Sequence, residues 1–176
     1  TKTGETTDSR NIISFLDLAE TDGNIQNTLF TTSLPGSFPD NEQANDMYQH
    51  LLSQFSGIRD INQVNNQLAI PANLSINFIG GQDYEKLERA RKLKETEYTI
   101  HPQLGYISLN QSLNNDEVLA VAFQDTIGNE VFQVGELTSN GPSAPDALIV
   151  KLLKGTTFSP SLMNWDLMMK NIYALG

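Results

Sequence analysis

From Glu97 onward the chain is written in short strands, and this constrains the fold more than any other feature of the sequence. Tyr98-Thr99-Ile100 and Tyr106 to Leu109 flank a turn over Pro102 to Gly105. Glu117 to Gln124 is rich in valine, alanine and leucine, and a loop at Gly128-Asn129 returns the chain into Glu130 to Val134, the clearest hairpin in the sequence. A Gly141-Pro142 and Pro145 loop then leads into Ala147 to Leu153, whose apolar run predicts a buried strand. Residues 97–155 therefore predict an antiparallel, sandwich-like sheet.

The first half mixes periods. Asn11 to Glu20 is β-branched enough for a strand, Asp22-Gly23 marks a turn, and Ile25 to Thr32 predicts a second short strand. Asp40 is placed as an N-cap, followed by an apolar stripe of Ala44, Met47, Tyr48, Leu51, Leu52 and Phe55 that Gly57 stops. Ile61, Val64 and Leu68 recur at helical spacing before Pro71. Leu74 to Phe78 alternates as a strand does, and Gly80-Gly81 reads as a turn. Asp83 is then expected to cap a third helix over 84–93, with Tyr84, Leu87, Ala90 and Leu93 facing inward. A last helix is expected from Leu162 to Leu175. The fold class predicted is α+β, three or four helices packed beside the sheet. Residues 1–10 read as a frayed lead and 11–176 as a single domain: mixed over 11–96, β-rich over 97–155, with the terminal helix at 162–175.

Charge and composition exclude several function classes. Lysine and arginine number 11 against 21 aspartate and glutamate, a net charge of -10. Phosphate affinity needs clustered cations, so this balance argues against a general nucleic-acid binder and an anionic-membrane sensor. Without cysteine there is no disulfide framework, thiolate metal site or cysteine nucleophile. No run reaches the roughly 18 apolar residues of a membrane-spanning helix. The chain opens on Thr1 and closes on Leu175-Gly176 directly behind a patterned helix, which reads as a piece of something longer.

The residues that could carry chemistry are isolated from one another. His50 and His101 have no partner at zinc spacing and read as surface histidines. Glu20, Asp22 and Asn24 echo a calcium loop, but the spacing and the distal glutamate are wrong. Glu95 with Glu97, and Asp116 with Glu117, read as solvated strand edges. Lys86, Arg89, Arg91, Lys92 and Lys94 are offset one for one by Asp83, Glu85, Glu88, Glu95 and Glu97, which predicts an exposed, salt-bridge-laced helix. There is no phosphate loop and no nucleophile elbow. The sequons at Asn73 and Asn110 carry no weight without a eukaryotic secretory context. Trp165, Met168, Met169 and Tyr173, on the apolar final helix, form the candidate interaction surface. Neither a cofactor nor a metal is expected, and no enzymatic activity.

Several stretches together point to a family. They are Asn11-Ile12-Ile13-Ser14-Phe15-Leu16-Asp17-Leu18; Tyr98 through Asn110, continuing to Asp116 through Phe123; and Trp165 through Tyr173. Val134-Gly135-Glu136 and Ala147 through Gly155 add to them. The sequence resembles the SprA family, also called Sov, the very large outer-membrane proteins of gliding motility and type IX secretion in Bacteroidetes. The similarity spans most of residues 10–176 but only a small part of so large a protein. It implies a parent that forms a giant β-barrel for the exit of folded cargo. This piece would be a soluble, non-barrel segment at the cell surface or on the periplasmic side. The implied partners are the rest of the parent chain, other secretion-system subunits, or cargo. The family offers no catalytic residues to carry over. The alternative from another class is a cell-surface adhesin or glycan-binding module, for which Tyr98, Tyr106 and Phe132 would be the exposed aromatics. A hydrolase ranks below both, since no nucleophile or acid/base pair stands out.

Overall fold

A computed structural model of the chain describes residues 9–16, 18, 47–55, 57–69, 78–127, 129–157, 159–162, 165 and 167. Its centre is a four-stranded sheet in the order β2-β1-β8-β5, made of β1 (Ser9–Phe15), β2 (Tyr84–Arg91), β5 (Leu119–Val121) and β8 (Leu148–Lys154). The sheet is mixed. β1 runs antiparallel to β2 but parallel to β8, with Ile12 opposite Leu148 and Phe15 opposite Lys151; β8 in turn is antiparallel to β5.

This corrects the α+β expectation of an antiparallel sandwich flanked by three or four helices. The described residues form a curled, strand-dominated mixed sheet with two short helices, α1 (Met47–Gln54) and α2 (Val64–Ala69). The apolar positions that predicted those two helices do face inward: Leu51 and Phe55, and then Ile61, Val64 and Leu68, are buried.

The third expected helix is β2. Tyr-Glu-Lys-Leu-Glu-Arg-Ala-Arg is built of strong helix formers with charges at helical spacing, so local propensity favours a helix. Pairing with β1 overrides it, because a strand here gives the buried β1 a partner on its outer side and puts Tyr84 beside Phe15 in the core. The charges then guard the sheet's edge, where unpaired backbone would invite another strand. Asp83 likewise caps no helix. Its Oδ2 accepts the Ile79 amide at 2.8 Å and its own amide donates to the Ile79 carbonyl at 2.8 Å, closing the turn that launches β2.

The β1–β2 ladder slips between Arg10 and Ile12, where Arg89 takes φ +54, a conformation that side chains with a Cβ rarely adopt. Asn11 compensates. Its Oδ1 accepts the Arg89 amide at 3.1 Å, and its Nδ2 donates to the Pro145 carbonyl at 3.2 Å. Arg10 also donates to the Pro142 carbonyl, at 2.5 Å. Thus β1 begins at Ser9, inside the stretch expected to be a frayed lead, and both Arg10 and Asn11 hold the 142–146 loop.

The core lies between the sheet and the helices. Ile13, Phe15, Tyr84, Val134, Ala147 and Ile149 meet Leu51, Phe55, Ile58, Ile61, Val64, Leu68 and Phe78. Phe78 joins the two layers, its ring edge-on to Phe15 at 5.7 Å and to Phe55 at 6.4 Å. Ser14, Leu148, Val150 and Leu152, on the opposite face, are buried too. Two-sided burial is why β8 reads as an apolar run broken only by Lys151, with no alternation. The chain past β8 returns to β2: the amide and hydroxyl of Thr156 donate to Glu85 Oε1 at 2.9 and 2.6 Å.

Two hairpins complete the description, β3 (Tyr98–His101) with β4 (Tyr106–Leu109), and β6 (Phe123–Ile127) with β7 (Glu130–Val134). Both fall where turn residues and alternation predict them. The strand expected over 117–124 is divided at Ala122: β5 pairs with β8 while β6 pairs with β7. This bend requires Gly135, at φ +75, because a Cβ there would stand 2.9 Å from the Ala122 Cβ. The strand expected over 25–32, the helix start at Asp40 and residues 74–77 of the next strand lie outside the described residues, as does most of the expected terminal helix. Leu162 and Trp165 form successive tight turns, each amide donating three residues back at 3.0 Å.

Candidate functional site: a buried carboxylate clamp

Glu136 is the most unusual side chain in the described structure, an acidic residue only 6% exposed. Gly135 turns the chain inward at the end of β7, so that the Glu136 amide donates to the Ile149 carbonyl at 2.8 Å and its carboxylate lies under the helices. Arg59, from the turn between α1 and α2, grips it with both guanidinium arms. Nη2 meets Oε1 at 2.7 Å and Nη1 meets Oε2 at 2.9 Å. The Tyr48 hydroxyl of α1 donates to Oε1, and the Ile149 amide donates to Oε2 at 2.8 Å. Arg59 is tied in further: Nη1 donates to the Ala147 carbonyl at 3.2 Å, and the Ala147 amide donates to the Arg59 carbonyl at 2.9 Å.

Burial alone would push the Glu136 carboxyl up. The donors from Arg59, Ile149 and Tyr48 outweigh it and hold the group below its ordinary 4.5. The same contact raises Arg59. Both partners are therefore charged at neutral pH. A carboxylate with two donors on each oxygen is fully satisfied, and a depressed pKa is the wrong direction for a general acid or base at neutral pH. What the arrangement does is mechanical: it clamps helix α1, the α1–α2 turn, the end of β7 and the start of β8 together.

A second buried charge, Lys151, donates from Nζ to the Leu16 carbonyl at the end of β1. Lys154 gathers the Asn115, Glu117 and Gly155 carbonyls, and burial lowers its pKa. These too are structural placements.

The residues singled out by sequence are dispersed. Trp165 is half-buried; Met168, Met169 and Tyr173 lie outside the described residues, so the candidate surface is represented by its tryptophan alone. His50 lies in α1. His101 stacks on Tyr106 across the β3–β4 hairpin at 4.3 Å. Glu20, Asp22 and Asn24 lie outside the described residues. Among the described residues no group of three or more histidines or carboxylates could hold a metal ion. In the basic segment, Arg91 pairs with Glu97 at 2.7 Å, which raises the arginine and, with the Lys94 amide, lowers the glutamate. Lys86 instead donates to the Ile61 carbonyl at 3.2 Å. Tyr98 and Tyr106 sit on opposite faces of their hairpin, since Tyr98 is paired with Leu109 and Tyr106 with His101. The two therefore do not form one aromatic platform.

Sequence reasoning missed the Arg59–Glu136 pair. A signal was present: Arg59 is the only lysine or arginine between Arg10 and Lys86, set between the apolar positions Leu51 and Phe55 on one side and Ile61, Val64 and Leu68 on the other. A lone cation among core residues calls for a buried anion. No protein-family model and no curated protein sequence matches this chain.

Proposed function

We propose that this chain is a non-catalytic structural and interaction segment of an outer-membrane protein-secretion translocon of the gliding-motility, type IX kind. The observation that supports a scaffold is Glu136. Among the described residues, the acidic group most withdrawn from water is fully occupied in bracing the fold and keeps no free oxygen for a substrate. The support for the translocon comes from the sequence stretches quoted above, which are spread through β1, the β3–β4 hairpin, the 134–136 corner and β8. On this reading the segment sits in the cell envelope, against the outer membrane, and its partners are the parent chain, sister subunits or cargo. Among the described residues no helix is long and apolar enough to cross a membrane.

The reading frame that encodes these residues tests the proposal first. It is expected to run on into many alternating segments of roughly 10 residues, the pattern of barrel strands. A frame without them overturns the reading. In the intact protein, in-frame removal of residues 9–167 is expected to abolish cargo export while the barrel remains in the outer-membrane fraction. Export at the normal rate would refute it.

A further inference from the structure

We infer that the outer edge of β3 is a docking site for an extended segment of a partner polypeptide, which adds to the hairpin as a third strand. The backbone assigns the occupant. The Asn110 amide donates to the Glu97 carbonyl at 2.9 Å, so 97 and 110 are a hydrogen-bonded pair at the base of the β3–β4 ladder. Such pairs alternate with non-bonded ones in an antiparallel ladder. Thr99/Ser108 and His101/Tyr106 therefore bond each other, while the backbone groups of Tyr98 and Ile100 point away from β4. Among the described residues nothing pairs with them, and the hairpin is a sheet of two strands only. Two such strands are marginal in water; a third strand supplies what is missing. Unpaired amides and carbonyls at strand spacing are met by an extended backbone.

The side chains narrow the partner. Tyr98 and Ile100 share a face with Ile107 and Leu109, and Ile100 is 58% exposed whereas Ile107 on β4 is half-buried, so β3 is the open side. Residues 98–109 contain no aspartate, glutamate, lysine or arginine. A charged partner side chain laid beside Tyr98 or Ile100 would lose water and gain no counter-charge, so the central residues of the partner strand are uncharged and alternately apolar. Its flanks are basic, because the net charge of -10 repels an acidic peptide at long range. The outer edges of the four-stranded sheet are defended, β2 by its charges and β5 by its three-residue length, and the β6–β7 hairpin carries Asp125 on β6. This inference stands on the hairpin alone and survives if the translocon reading fails.

The test uses the 176-residue chain and a fluorescein-labelled peptide of alternating threonine and valine with a lysine at each end. Anisotropy is expected to report saturable binding, with slowed amide exchange at Tyr98 and Ile100. Ile100→Pro removes an outward amide and leaves the bonds to β4 intact, so it is expected to weaken binding at least about tenfold, whereas Ile107→Pro on the far edge leaves affinity within about twofold. Retained exchange protection in the hairpin's inward amides shows that the variants still fold there. Absence of binding at about 1 mM peptide overturns the inference. So does equal loss in both variants. Concentration-dependent dimers abolished by Ile100→Pro would overturn it as well, by making a second copy the occupant.

Discussion

Ile13 in β1 and Ile100 in β3 are both isoleucines within a strand, yet one is 0% and the other 58% exposed. The difference lies in who their neighbours are. β1 is held by strands far away in sequence, β2 and β8, and capped by helices that Arg59 and Glu136 lock in place. β3 is held by β4, across a turn of four residues at 102–105. Strand-forming residues secure a strand in both places, but only long-range partners supply burial. The sheet region is thus the stable scaffold, and the hairpin presents its edge.

The contrast predicts a graded series. Phe15→Ala, at the junction with Phe78 and Tyr84, is expected to cost about 3–5 kcal/mol in a urea titration, because the ring is fully buried and its neighbours cannot collapse into the space. Glu136→Ala should follow with about 2–4 kcal/mol, somewhat below the value for a wholly buried pair because Arg59 keeps 24% exposure. The same carboxylate makes the scaffold acid-sensitive. Its folded pKa lies below the ordinary 4.5, so its contribution is complete above that value and drains as pH falls through the folded one. Glu136→Gln should flatten that part of the stability profile; an unchanged acid limb would mean another group governs it.

Asn11→Ala is expected to cost about 1 kcal/mol, through loss of the bonds to Arg89 and Pro145. At the small end, Leu104→Ser at the 74%-exposed hairpin tip should shift stability by less than about 0.5 kcal/mol. A loss near that of Phe15→Ala would place the hairpin inside the scaffold and erase the distinction. Hydrogen exchange checks it without mutation: the Ile149 amide should exchange only on global unfolding, and that of Ile100 orders of magnitude faster.

What could be read from the sequence divides along the same line. The hairpins were legible because their signals are local: Pro102 to Gly105, Gly128-Asn129, and alternation on either side. Leu148 to Leu153 was legible as a buried strand from its apolar run, but its parallel neighbour was not, since nothing near residue 148 names residue 12. The segment 84–91 misled because Glu, Lys, Leu, Arg and Ala favour a helix when nothing else is known, and the β1 edge that claims it lies in a remote part of the chain. Glu136 was hidden for the same reason: its meaning depends on Arg59 and Tyr48, two neighbours brought together by folding. The candidate surface at Trp165, Met168, Met169 and Tyr173 rested on composition, and composition does not specify who faces whom.

The parallel pairing of β1 with β8 also sets a timetable. Leu16 and its buried partner Lys151 are 135 positions apart. A ribosome adding about 5–20 residues per second needs roughly 7–27 s to cover that distance, while a hairpin such as β3–β4 closes in microseconds. On its β8 side, β1 therefore waits for a partner made much later. Any device that handles the nascent or translocating chain meets β1 with its β8 side open throughout that interval, even once β2 has paired on the other side.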